Sequence, residues 1–258
     1  MILDEIIANK AEEIHMLRHR FKGISKEMLN EFPPSRDFRK AFSKEKFAII
    51  AEAKKASPSA GEIVKDYNPT VIARNYEIAG ASAVSILTDY KYFKGSLDHI
   101  KAAKDSTTIP ILRKEFIIDA AQIYESRIAG ADALLLIVRI LSDEQLTAFL
   151  KLCRELDMEA LVEVHDVAEA KRALNTDARI IGINNRDLDT LKIDIQNTID
   201  ILNKLPRLKE RIVITESGIK SAEDIKKLRA AGCNGALIGE TLLKSKNISK
   251  TMADLLKA

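Results

Sequence analysis

Six ionisable side chains stand at or just past the ends of short apolar runs in this 258-residue chain. One run ends Ile50-Ala51-Glu52-Ala53-Lys54, so Glu52 and Lys54 share one face of an extended strand. Lys114 ends Leu112-Arg113-Lys114, Glu163 ends Leu161-Val162-Glu163, and Glu216 ends Ile214-Thr215-Glu216. Asn184 ends a further run and is followed two residues later by Arg186. Charges at the ends of apolar strands are costly to desolvate unless paired. Three carboxylates, Glu52, Glu163 and Glu216, against three cations, Lys54, Lys114 and Arg186, therefore predict one mutually compensating network. The chemistry open to such a set is proton transfer.

Three loops suit a phosphate group. Ser57-Pro58-Ser59 offers hydroxyl donors. Glu216-Ser217-Gly218 and Ile238-Gly239-Glu240-Thr241 offer glycines that let the backbone approach a ligand closely. Other chemistries find no support. His15 and His19 lie one helical turn apart without a His-Glu-x-x-His motif and read as surface positions. His165 follows a strand, but its neighbour Glu163 is the stronger functional candidate. There is no Gly-x-x-x-x-Gly-Lys, no sign of a Ser-His-Asp arrangement, and no metal-spaced cluster. The run Lys101 to Lys104 reads as a solvated helix face.

Positioning these groups requires a scaffold that brings strand ends together. From Phe47 onward, apolar β-branched runs alternate with amphipathic helical ones. The predicted strands are Phe47–Ala53, Ser82–Thr88, Pro110–Lys114, Asp132–Val138, Glu159–Val164, Arg179–Asn184, Arg211–Glu216 and Gly235–Gly239. Most are continuously apolar, as in a parallel sheet covered on its outer face. The helices between them carry start and stop signals. Asn68-Pro69 supplies an N-cap and a first-turn proline. Asp119 with Gln122 and Ser142 with Gln145 resemble capping boxes. Gly80, Gly130 and Gly232 follow the last turns of three helices. The fold class is α/β, a (β/α)8 TIM barrel, in which side chains at the C-terminal strand ends meet at one mouth. A doubly wound sheet is disfavoured, because no Gly-x-Gly-x-x-Gly follows a strand.

Residues 1–46 form an N-terminal helical extension, with Leu3, Ile7, Ile14, Leu17 and Phe21 at helical spacing and a break at Phe32-Pro33-Pro34. No connection after Phe47 is long or low in complexity, so the whole chain, 1–258, reads as one domain. The formal charge of +3, without a basic tract, argues against nucleic acid. No run is apolar and long enough for a transmembrane helix. No signal peptide is visible. Cys153 and Cys233 suit buried thiols in a reducing cytoplasm.

Five segments resemble the indole-3-glycerol phosphate synthase family in order and approximate spacing: Ile50–Ser59, Ile111–Ile117, Leu161–His165, Gly182–Leu188 and Glu216–Ile219. The sequence departs at Ala53, where the family often has a larger residue, and at Ala60, in a variable loop. The resemblance implies a cofactor-free, metal-free reaction on a phosphorylated small molecule. The substrate, 1-(2-carboxyphenylamino)-1-deoxyribulose 5-phosphate, would close its ring and lose carbon dioxide and water. It implies Lys114 as general acid, Lys54 and Glu163 sharing later proton transfers, and Glu52 and Glu216 orienting the lysines. Asn184 would orient the reacting groups, and Arg186 would meet the substrate carboxylate. Phe93, Phe116, Leu135, Leu188 and Leu237 would wall the aryl ring. Ser57, Ser217, Gly218, Gly239 and the backbone of Glu240 would hold the phosphate. It further implies an extension that shapes the substrate entrance, and a monomer. The competing expectations are another phosphate-binding barrel, such as an isomerase or a Schiff-base aldolase working through Lys114, and a catalytically silent barrel.

Overall fold

Runs rich in Ile, Val, Leu and Ala become strands here because both of their faces are buried. In the computed structural model, which describes residues 2–21, 34–42, 46–58 and 60–257, they are β1 (Ala48–Ala53), β2 (Ala83–Leu87), β3 (Ile111–Lys114), β4 (Ala133–Ile137), β5 (Glu159–Val164), β6 (Ile180–Asn184), β7 (Ile212–Glu216) and β8 (Gly235–Ile238). All pair in parallel, each with its sequence neighbour, and β1 closes the ring against β8. Alternation sorts the side chains into two cores. Ile50, Leu112, Leu135, Leu161 and Ile214 fill the barrel interior. Ile49, Val84, Ile86, Leu134 and Val162 face the surrounding helices. The runs read as continuously apolar because both cores are served at once.

The register sets the level of the strand-end groups. Glu163 lies beside Ile137, Asn184 beside Glu216, and Glu216 beside Leu237. A one-residue slip of any strand would turn its charged group to the opposite face.

The helices used below are α1 (Ile2–Arg20), α2 (Pro69–Ile78), α3 (Asp98–Ser106), α4 (Ala120–Ala129), α5 (Asp143–Glu155), α6 (Val167–Leu174), α7 (Gln196–Lys204) and α8 (Ala222–Ala231). Both predicted capping boxes form, at Asp119/Gln122 and Ser142/Gln145. A third, Ser221/Asp224, opens α8. Gly80, Gly130 and Gly232 all adopt left-handed φ angles, which a glycine takes without steric cost.

The N-terminal segment touches both ends of the barrel. Phe38 and Phe42, in T-shaped contact at 5.2 Å, close the barrel floor beneath Ala48, Ile50 and Ala133. Arg36 fastens this segment by donating to the carbonyls of Ile109 and Lys104, and its backbone N–H donates to Asp132. Helix α1 lies at the mouth, stacked through Phe21 on Tyr124 of α4 and ion-paired through Arg18 with Asp119. Its buried stripe differs from the predicted one. Ile6, Lys10 and Ile14 are buried, and Leu3, Ile7 and Leu17 are only half-buried. The reason is electrostatic: the barrel offers α1 a buried acidic niche, and Lys10 fills it, 3.1 Å from Asp89 and 3.2 Å from Glu115. Phe32, Pro33 and Ser59 lie outside the described residues. His15 and His19 are exposed, as predicted.

Candidate active site

The C-terminal strand ends surround a cavity of about 830 Å³. Every residue singled out from the sequence as catalytic or substrate-binding lines it. At its base, Lys114 Nζ sits 2.6 Å from Glu216 Oε2 and 3.3 Å from Glu163 Oε2. Beside them, Lys54 Nζ donates to Glu52 Oε1 at 2.6 Å.

These pairs tune one another. Burial alone would lower Lys114, but Glu216, Glu163 and Glu52 together hold its ammonium protonated, above the ordinary lysine range. Burial would raise Glu52, but Lys54 and Lys114 keep it below the usual carboxylate range. Glu163 is likewise held low, against burial, by Lys114 and His165. Glu216 goes the other way: burial, reinforced by Glu163, overcomes the pull of Lys114 and pushes it up to about 7. Two carboxyls beside one cation are thus driven apart in proton affinity, as in sites that run acid–base chemistry at neutral pH.

The expected network of six is in fact one of five. Among the described residues no carboxylate lies within ion-pair reach of Arg186, because that residue stands past the end of β6, where its backbone pairs with Ile193. Its N–H donates to Asn184 Oδ1 at 3.0 Å, tying the strand end to the loop. Beneath this loop, Asn185 bonds Thr215, Thr198 and the carbonyl of Ser217, which locks the ends of β6 and β7 together.

Much of the lining is apolar. Phe93 and Phe116 have ring centroids 6.1 Å apart, and Leu135, Leu188 and Leu237 add apolar surface from β4, the loop after β6 and β8. The rim after β7 and β8 is backbone. Ser217 and Gly218 both take left-handed φ angles, 67° and 87°; the glycine does so freely, whereas the serine is strained in a way that clusters at functional sites. Thr241 Oγ1 donates to the Ile219 carbonyl at 2.7 Å and joins this loop to the one after β8. The Glu240 side chain turns to Lys244. The Ser57 hydroxyl accepts the Ala60 N–H at 3.2 Å.

Several groups at the site were not singled out as site residues from the sequence. Ile2, Leu3 and Ile6 of α1 reach the cavity from about fifty residues before Glu52. Leu191 and Ile193, on the loop after β6, line its mouth. Gly182 lies between Glu163 and the β7 strand in register, and a Cβ there would overlap Glu216 Oε1. His165 packs behind Glu163. A glycine inside an apolar strand was the one available hint. Among the described residues no group of His, Cys, Asp or Glu is placed to hold a metal ion, and no helix is long and apolar enough to cross a membrane.

Comparison with known proteins agrees with this geometry. Residues 3–255 match the family described as "Indole-3-glycerol phosphate synthase". Curated relatives of that name include those of Desulforamulus reducens, 42% identical and covering 100% of this chain and 98% of the relative, and Acetivibrio thermocellus, 45% identical and covering 98% of each. The relative from Legionella pneumophila strain Paris is 46% identical and covers 99% and 98%. Among solved structures, a thiamine phosphate pyrophosphorylase from Pyrococcus furiosus aligns with a TM-score of 0.62 at 12% identity, over 83% of this chain and 96% of that one. At that identity the likeness concerns the fold.

Proposed function

The chain belongs to the indole-3-glycerol phosphate synthase family, and from that premise we propose how its own groups divide the work. The family's enzymes are carboxy-lyases of tryptophan biosynthesis that act on a phosphorylated small molecule. In the substrate, the carboxyl-bearing aryl carbon bonds to the ketone carbon of the deoxyribulose chain. The ketone oxygen then needs a proton, and Lys114, held as an ammonium by Glu216 and Glu163, donates it. The carboxyl leaves as carbon dioxide, and its bonding pair restores the aromatic ring. The new hydroxyl leaves as water when it gains a proton and the new ring loses one. Glu163 and Lys54 share these two transfers. Glu52 and Glu216 hold the lysines in place, and Asn184 orients the reacting groups.

The guanidinium of Arg186, which has no carboxylate in ion-pair reach among the described residues, suits the substrate carboxylate, which it can meet in a bidentate manner. The apolar lining from Phe93 to Leu237 suits the aryl ring. The turned-out backbone at Ser217, Gly218, Gly239 and Glu240, with the Ser57 hydroxyl, suits the phosphate. All of these groups come from one chain, which supports a monomer acting in the reducing cytoplasm, where the buried free thiols of Cys153 and Cys233 persist. Light scattering is expected to give the monomer mass of 28.7 kDa.

The observation that carries the reading is the Lys114 ammonium between two carboxylates at the cavity base. Lys114→Ala is expected to keep the far-ultraviolet circular dichroism of the parent and to lose turnover by at least ~10²–10⁴-fold, the usual worth of a placed acid. Near-normal turnover would remove the proposed acid. A Schiff-base aldolase instead needs an uncharged amine at this position. Borohydride added with substrate is therefore expected to leave no adduct on Lys114, and a stable adduct would favour the aldolase.

A further inference from the structure

Behind Glu163, away from the cavity, lies a row of charges of alternating sign. His165 Nε2 is 3.2 Å from Glu163 Oε1, at ion-pair distance but outside hydrogen-bond geometry. On its other side, Nδ1 is 3.0 Å from Glu169 Oε2, which also accepts the His165 backbone N–H at 2.8 Å. Glu169 Oε1 accepts from Arg139 Nε at 2.8 Å, and Arg139 reaches Asp189 at 3.6 Å. The His165, Glu163 and Glu169 side chains are almost wholly buried. The charged groups facing the ring are Glu163 from β5 and Glu169 from α6, and Asn197 of α7 donates to the His165 carbonyl.

We propose that His165 is a positioning residue for Glu163, an imidazolium pinned by Glu169 that holds one oxygen of the Glu163 carboxylate while Lys114 holds the other. The geometry favours a charged ring. A neutral imidazole donates through one nitrogen only, and here both nitrogens face carboxylates, so a bare nitrogen lone pair would be repelled by one of them. Lys114 and Arg139 each neutralise one of these carboxylates, and a charged ring adds a cation between them. In agreement, Glu163 and Glu169 overcome the effect of burial and raise His165 to about 9. With Oε1 in ion-pair reach of His165 and Oε2 in ion-pair reach of Lys114, the carboxylate is kept ionised, ready to take the proton lost late in the reaction. Arg139 and Asp189 extend the row to the loop after β6, the same loop that carries Arg186. The proposal rests on the proton-transfer role given to Glu163.

The test compares His165→Gln, Glu169→Gln, Glu163→Gln and the double variant with the parent enzyme. His165→Gln is expected to lower kcat by roughly 10- to 100-fold, the range met when the outer partner of a site ligand is removed, with KM little changed. Adding it to Glu163→Gln should cost nothing further, since its effect passes through Glu163. Glu169→Gln should move the alkaline fall of kcat to lower pH, because the ring then keeps one carboxylate neighbour. Nitrogen-15 imidazole spectra of the parent at pH 7.5 should show His165 protonated on both nitrogens, the signal being assigned by its loss in His165→Gln. A folded His165→Gln with kcat within about twofold of the parent would overturn the proposal, and so would a neutral ring at pH 7.5. If His165→Gln does not fold, the parent spectrum and the Glu169→Gln profile decide in the same way. Full turnover by Glu163→Gln would remove the underlying reading, and the proposal with it, and is distinguishable because it shows in that single variant.

Discussion

At the scale of the residue, small differences in surroundings separate similar groups. Glu163 and Glu216 flank the same ammonium, yet burial and mutual repulsion raise Glu216 to about 7 while Glu163 stays ionised. Glu163→Gln is therefore expected to bind substrate and stall after ring closure, so that rapid quenching shows an intermediate accumulating. Unchanged turnover would count against its role. Gly182 tests the space around Glu216. A methyl group there would overlap Oε1, so Gly182→Ala must displace the carboxylate. A misplacement of about 1 Å typically costs ~10²-fold in rate, and a loss of that order in kcat with a normal melting temperature is the expected result. The strand-end charges were legible in the sequence because a charge closing an apolar strand breaks a pattern. The roles of Gly182 and His165 were not, since both depend on what lies across the barrel, and one sequence shows only its own strand.

At the scale of the element, helix α1 shows how a packing surface can override periodicity. Helical spacing pointed to Ile7, whereas the buried stripe runs through Ile6 and Lys10, because Asp89 and Glu115 supply a niche that only a cation can fill. Lys10→Met would leave the buried Asp89 without its cation, a change that typically costs about 3–5 kcal/mol, while Glu115 keeps Arg113 at 3.7 Å. It should loosen α1 and withdraw Ile2, Leu3 and Ile6 from the cavity. KM is expected to rise by about tenfold, equivalent to 1.4 kcal/mol of lost binding, with kcat less affected. An unchanged KM would show that α1 does not shape the site. Strand limits, by contrast, were readable to within a residue, and so were the helix starts and stops marked by Asn68, Asp119, Ser142, Gly80, Gly130 and Gly232, because capping side chains and apolar runs are local signals. The pairing of five charges, with Arg186 left over, was not readable, because it depends on how far past its strand the residue projects.

At the scale of the whole molecule, the buried charges make stability depend on pH in a definite sense. A histidine raised from its ordinary value of 6.5 to about 9 stabilises the fold fully below pH 6.5, and that contribution is lost as pH rises through 9. The full effect amounts to about 3 kcal/mol. Urea midpoints of the parent should therefore fall between pH 6.5 and 9.5 more steeply than those of His165→Gln, and parallel curves would contradict the imidazolium. The carboxylates held low, Glu52, Glu115, Glu163 and Glu169, act in the opposite direction, and their contribution disappears as the medium turns acidic. The barrel brings all of these groups from distant strands to one mouth, and its central consequence is catalysis. The most direct test mixes the purified protein with 1-(2-carboxyphenylamino)-1-deoxyribulose 5-phosphate and follows indole fluorescence, against the low background of a chain without tryptophan. The account predicts a catalytic rise that vanishes in Lys114→Ala. No rise and no binding of that substrate would contradict it.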